Sequence, residues 1–228
     1  SSAASDVYKR QAVACTNRST SSEQDEMRHW NNVLQQINAL LLENKARQTL
    51  DLAKQTLPEI LESAEKNGTT DTLIYYARKI FNACGNNYIN TKQYKDGIDY
   101  MDSIGNHPLI REHCPHELLS FKAGLNQLYG NNPEAVRLAE DYLQLPVCTS
   151  ANDFIRQAEI ISGVYMYSGN NLPKAIQILE KAIDVYRKGG NFPNMLRIMS
   201  RLGIYYHLSG EYEKAIATNQ EAIATYND

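Results

Sequence analysis

Three alanines, Ala135, Ala175 and Ala215, recur at intervals of 40 residues. Their surroundings recur with them: Pro133-Glu134-Ala135-Val136, Pro173-Lys174-Ala175-Ile176 and Glu213-Lys214-Ala215-Ile216. Ala182 and Ala222 continue the pattern, each seven residues past its partner. A fixed period of this length marks a stacked-repeat architecture, in which one supersecondary unit cannot bury its own apolar face and must lean on its neighbours. The period constrains the chain more than its 228 residues do. An array grows unit by unit, so a domain count from length alone loses its meaning.

The segments between the alanines read as helices. Gly203 to Leu208 and then Ser209-Gly210 close one helix, and Glu211 to Ile216 open the next. Each unit is therefore a helix–turn–helix pair with Gly or Asn in the turn. Pro133 suits a first helical turn, with Asn132 before it as a capping residue. Gly68 and Gly189-Gly190 stand where helix C-caps belong.

On these residues the chain resembles the tetratricopeptide repeat family. The last unit carries Leu202-Gly203, Tyr206, Gly210, Tyr212, Ala215 and Ala222, with Asn219 in place of the second-helix aromatic. The unit before it carries Gly163, Ala175, Leu179 and Ala182; the third carries Gly130, Ala135 and Ala139. The second reads Gly85, Tyr88, Tyr94 and Met101, with Gly97 at the alanine position. In the first, Trp30, Ala46, Leu50, Ala53 and Pro58 keep the spacing. The resemblance implies an all-α superhelical array of about five helix pairs, a solenoid, covering roughly residues 27 to 226. The first step, from Ala46 to Gly97, is 51 residues, against a family period of about 34. It predicts an extended second helix in unit one, through Glu65.

The two ends read differently. Residues 1–11, Ser1 to Gln11, resemble the in-frame translation of a transposase-based sequencing adapter and are set aside from fold reasoning. Residues 12–26 form a leader: small residues Ala12-Val13-Ala14 precede Cys15, followed by a polar tether, as at the end of a bacterial lipoprotein signal. The alternative is a short leader with an ordinary cysteine. The array then occupies 27–228. At its far end Ile216 and Ile223 are expected to show an uncovered apolar face, the sign of an array that continues.

Charge and motifs narrow the function. The net charge is −3 with no basic stripe, which argues against nucleic-acid binding by this segment. No apolar run reaches a membrane span; the stretch from Ile37 to Leu42 is broken by Asn38. A membrane enters only through a lipid on Cys15 or a span outside this sequence. His107, His113, Cys114 and His116 cluster, but match no zinc spacing, and Pro115 restricts their convergence, so no metal is assigned. Cys84 reads as a small buried residue, and Cys114 and Cys148 pair only if two inter-repeat loops meet. There is no phosphate loop, nucleophile elbow or His-Glu-x-x-His, and Glu26, Glu62 and Glu65 read as scattered solvated charges. The chain is thus expected to be no enzyme and to need no cofactor.

The resemblance implies a ligand surface on the inner face of the first helices. Projected register places Arg28, Asn31, Gln35 and Asn38 there from unit one, Lys79, Asn82, Asn86 and Asn90 from unit two, and Arg197, Ser200 and His207 from the last unit. Unit three contributes none, because Leu118, Phe121, Leu125 and Leu128 fall one residue out of register. Amides in such a groove suit the backbone of an extended peptide; a merely solvated face is the bland alternative. The family's clamp for C-terminal carboxylates uses Lys and Asn where this chain has Asn31 and Gln35, so that specificity does not carry over. The expected function is a non-enzymatic scaffold for a protein or peptide, resembling the sensor region of bacterial two-component kinases and related regulators. It would lie in the periplasm or at a membrane if Cys15 is lipidated, and in the cytoplasm otherwise. The alternative is a cytoplasmic regulator controlling a DNA-binding output domain.

Overall fold

The computed structural model describes residues 21–146, 151–189 and 192–227. Among them are eleven helices and no strand. They are α1 (Ser21–Leu42), α2 (Ala46–Asn67), α3 (Asp71–Asn90), α4 (Tyr94–Ile104), α5 (Pro108–His113), α6 (Pro115–Tyr129), α7 (Asn132–Gln144), α8 (Ala151–Tyr167), α9 (Leu172–Gly189), α10 (Phe192–Leu208) and α11 (Tyr212–Asn227). With the short α5 left aside they form five antiparallel pairs: α1/α2, α3/α4, α6/α7, α8/α9 and α10/α11. Residues 1–20, including Cys15, lie outside the described residues, as does Cys148.

The turn inside each pair explains the period. Four are closed by the same backbone bond, donated by Lys45, Gln93, Asn131 and Glu211 to the carbonyls of Leu40, Tyr88, Asn126 and Tyr206. The fourth turn is one residue longer, and Asn171 donates to Tyr165. Every turn holds one residue with left-handed backbone: Asn44, Lys92, Gly130, Asn170 and Gly210. Four of the five are Gly or Asn, the types that adopt this conformation at least cost. Lys92 is the exception.

The turns also correct the register of unit one. The donors at 45, 93, 131, 171 and 211 accept in turn from the amides of Thr49, Gly97, Ala135, Ala175 and Ala215. The residue equivalent to the repeated alanine is therefore Thr49, not Ala46, and the first step is 48 residues (97 − 49) rather than 51. Thr49 is fully buried, and its hydroxyl donates to the Lys45 carbonyl at 3.0 Å. With its polar group satisfied inside its own helix, a threonine serves where the other pairs use Ala or Gly. Pro58 lies within α2 and does not close it. The helix runs to Asn67, two residues past the expected end, and stops at Gly68 with φ 83°. Asn132 is the first residue of α7 rather than its cap, and Asn131 before it makes no side-chain capping bond.

Packing fixes the curvature. Consecutive first helices touch along the array (α1 on α3, α3 on α6, α6 on α8, α8 on α10), whereas contact between consecutive second helices is sparse. Second helices are instead spanned by long ion pairs: Lys174 (α9) to Glu140 (α7) at 2.5 Å, and Arg187 (α9) to Glu221 (α11) at 2.6 Å. First helices therefore line the inner face, and second helices fan out on the outer one. The core falls into two clusters that meet at α6. Phe121 and Leu125 belong to one with α1–α5, and Ala123 to the other with α7–α11. The loop after α4 is not plain: α5 fills it, and α6 begins at Pro115.

The last pair shows the uncovered face that the sequence suggests. Ile216 and Ile223 are 58% and 64% exposed, whereas Ile176 and Ile183, one repeat earlier, are 7% and 3% exposed under α10 and α11. Part of this face has turned polar, since Thr218, Asn219 and Thr225 stand one repeat after Ile178, Leu179 and Val185.

Candidate ligand groove

On α3, Tyr76 meets the Trp30 ring of α1 at 5.9 Å, while Arg78 and Phe81 meet Glu117 and Phe121 of α6. The arc between those contacts faces the inside of the array and carries Tyr75, Lys79, Asn82 and Asn86. Tyr75 is half exposed, and the Lys79 Nζ sits 5.6 Å from its ring centre. Asn82 is half-buried. Asn86 departs from expectation: it is buried, and its amide donates to the Asn82 carbonyl at 2.6 Å. That donation uses one of its donors within the helix and keeps the side chain flat against it. Asn90 is exposed at the end of α3.

On α1, Arg28, Asn31, Gln35 and Asn38 are all exposed, on the face away from the buried Trp30, Val33 and Ile37. Arg28 reaches Asp25 of its own helix at 3.4 Å. On α10, Ser200 is exposed and Arg197 pairs with Glu159 of α8 at 2.7 Å. His207 is exposed at the rim, its ring 5.4 Å from that of Tyr212. The projected residues thus share the inner surface of the first helices at α1, α3 and α10, with Asn86 recessed and His207 at the edge.

Two joints between first helices differ sharply. Between α3 and α6, the Arg78 Nε lies 3.1 Å from the Glu117 Oε1, and its Nη2 donates to the His113 carbonyl at 2.5 Å. Glu117 is 1% exposed, so this pair is part of the interior. Gly85 admits the Phe121 ring so closely that a β-carbon there would lie 2.4 Å from it. Between α8 and α10, Glu159 holds two arginines: its carboxylate takes Arg197 at 2.7 Å and Arg201 at 3.0 Å, and its carbonyl accepts from the Arg201 Nη1 at 3.1 Å. Below them, a β-carbon on Gly163 would meet nothing nearer than the Gln127 Oε1 of α6 at 3.9 Å and the Arg201 Nη1 at 4.0 Å. Tyr75, Gln127, Glu159 and Arg201 escaped the sequence reading. Spacing offered a signal for two of them: Tyr75 is four residues before Lys79, and Arg201 four after Arg197, each on the same helical face.

The other candidates resolve locally. The His107 Nε2 lies 3.1 Å from Glu65, and its Nδ1 accepts from the Leu109 amide, capping α5. The His116 Nε2 pairs with the Pro146 carbonyl at 2.7 Å. Cys114 is buried, and among the described residues no group of three His, Cys, Asp or Glu converges as a metal would need. Glu26 accepts from the Ser63 hydroxyl, and the largely exposed Glu62 pairs with Lys66 of its own helix. Burial pushes the Cys84 thiol up to about 12, which leaves it protonated and unreactive at neutral pH. No described helix is long and apolar enough to cross a membrane.

Stacked helical hairpins whose first helices touch define an α-solenoid of interaction type. The family model described as tetratricopeptide repeat matches residues 158–228. Over those residues the chain is similar to that family, and the whole described array has a fold of the same kind. The solved structures agree in fold. A putative kinesin light chain from Podosopora anserina, described by its nearly identical TPR-like repeats, aligns at 12% identity and a TM-score of 0.53, over 87% of this chain and 95% of that one. MamA residues 41 to the end, from Desulfovibrio magneticus RS-1, aligns at 15% identity and a TM-score of 0.50, over 89% and 96%. No curated protein matches the sequence. The fold is a scaffold type whose usual work is to bind other proteins.

Proposed function

We propose that this chain is a non-enzymatic docking scaffold that holds an extended segment of a partner protein against the inner surface of its first helices. The observation that carries this reading is the arc of α3 between its contacts to α1 and α6. It presents Tyr75, Lys79 and Asn82 together, an aromatic, a cation and an amide, on rigid helix. Such a surface offers stacking, charge and backbone hydrogen bonding without a deep pocket. The test is selection of random twelve-residue peptides on the purified chain, followed by calorimetry of the selected peptides. Lys79→Ala and Asn82→Ala together are expected to weaken binding about tenfold or more, roughly 1.4 kcal/mol. Unchanged affinity removes the groove as the site.

Placement in a bacterial signalling protein, as its sensor or interaction region, rests on sequence resemblance alone. The alternative of a cytoplasmic regulator with a DNA-binding output domain stands on the same footing. Attachment to a membrane through Cys15 rests on Ala12-Val13-Ala14-Cys15. Labelling of cells with a radioactive fatty acid decides it: lipid incorporation that disappears in Cys15→Ser supports the anchor, and no incorporation removes it.

A further inference from the structure

We propose that the joint between α8 and α10 is a subsite for an acidic side chain of the bound segment, resting on the docking reading above. The chain as a whole carries a net charge of −3, yet the described charged side chains at this joint are two arginines and one glutamate. Glu159 is 15% exposed and satisfied by both. Arg201 is locked, with one nitrogen on the Glu159 carboxylate and another on its carbonyl. Arg197 is held by a single nitrogen, Nη2, and its side chain is 53% exposed. A guanidinium has five N–H donors in a fixed fork, so the solvent side of Arg197 keeps donors directed away from Glu159.

Two further features make this a place where a chain can lie. The floor beneath the arginines is the buried Gly163, whose missing side chain leaves Gln127 and Arg201 at ordinary van der Waals distance from where a β-carbon would stand. Gln127 adds a carbonyl and an amide suited to a passing peptide backbone. An incoming carboxylate would therefore meet a preoriented, charge-assisted donor fork. Glu159 shows which ligand chemistry the two arginines already accept. The geometry selects a carboxylate within the segment, since it requires only a side chain reaching the exposed side of Arg197.

The test uses fluorescein-labelled twelve-residue peptides on the full chain at low salt. One has Glu at alternate positions in a Ser/Gly background with an amidated C-terminus; the second replaces each Glu by Gln; the third is the Gln peptide with a free C-terminal carboxylate. The acidic amidated peptide is expected to bind about tenfold more tightly than its Gln counterpart. Arg197→Gln, a change at a half-exposed side chain, is expected to abolish that preference while helicity stays unchanged. Equal binding of the two amidated peptides overturns the subsite. So does a preference that survives Arg197→Gln, or one shown only by the free carboxylate. If neither amidated peptide binds, the subsite is likewise overturned, while the groove itself is judged separately by the Lys79 and Asn82 variants.

Discussion

The joint between α3 and α6 and the joint between α8 and α10 are built from the same helices of the same repeat, yet one is closed and the other open. At the first, Gly85 lets the Phe121 ring seat on the α3 backbone, and Arg78 and Glu117 pair in the interior. At the second, Gly163 receives no ring, and the side chains of Arg197 and Arg201 on Glu159 are 53% and 36% exposed. A first-helix glycine thus serves close packing in unit two and stands clear of any ring in unit four. Repetition of sequence does not impose repetition of role, and the open joint is where the array can take up a ligand.

The contrast is broken most forcefully at the closed joint. Phe121→Ala removes a fully buried ring that stands edge-on to Phe81 and is expected to cost about 3–5 kcal/mol. Glu117→Ala leaves Arg78 without its carboxylate in a nearly buried site. It is expected to cost about 2–3 kcal/mol, below the range for a fully buried pair because Arg78 is 30% exposed. Glu159→Ala is expected to cost about 1 kcal/mol or less, since its arginines reach water. Urea midpoints followed by circular dichroism compare the three. A loss at Glu159 equal to that at Glu117 would show the open joint to be structural.

The glycines sharpen the same contrast. Gly85→Ala drives a β-carbon into the Phe121 ring and is expected to destabilise by about 1–3 kcal/mol. Gly163→Ala meets only ordinary contacts and is expected to stabilise by up to about 1 kcal/mol, through helix propensity. Opposite signs of shift in melting temperature are the outcome sought. Away from the joints, Lys92→Gly relieves a lysine held at φ 58° and is expected to gain about 1 kcal/mol in the same assay.

The smallest effect comes from pH on the outer face. A hydrogen bond from Lys174 holds Glu140 below the usual carboxylate range, and one from Arg137 does the same for Glu134. Folded-state values below the unfolded ones mean that this stability is present at neutral pH and lost as pH falls through the carboxylate range. Both groups are part exposed, so together they contribute about 0.5–1 kcal/mol. Lys174→Met is expected to flatten the acid limb of the stability–pH profile slightly.

Much of this architecture was legible in sequence because small residues at fixed spacing are what two close helices require. Ala135, Ala175 and Ala215 marked three pairs correctly, and all are buried. Unit one misled, because Ala46 has the expected type while Thr49 holds the position. A threonine there is acceptable only because its hydroxyl bonds to the Lys45 carbonyl, which spacing does not reveal. The groove residues of unit two follow from helical periodicity. That Glu159 gathers two arginines from a helix some 40 residues away depends on how the pairs stack. Contacts of that kind join different units and leave no local pattern in the sequence.

The central claim, that ligand lies along the first helices, is tested most directly by photocrosslinking. A photoreactive phenylalanine derivative is placed singly at Asn82 and Ser200 on the inner surface and at Gln55 and Lys181 on the second helices, and each protein is illuminated with a selected peptide. Covalent capture at positions 82 and 200, and none at 55 and 181, is the expected result. Capture confined to the second helices would contradict the account.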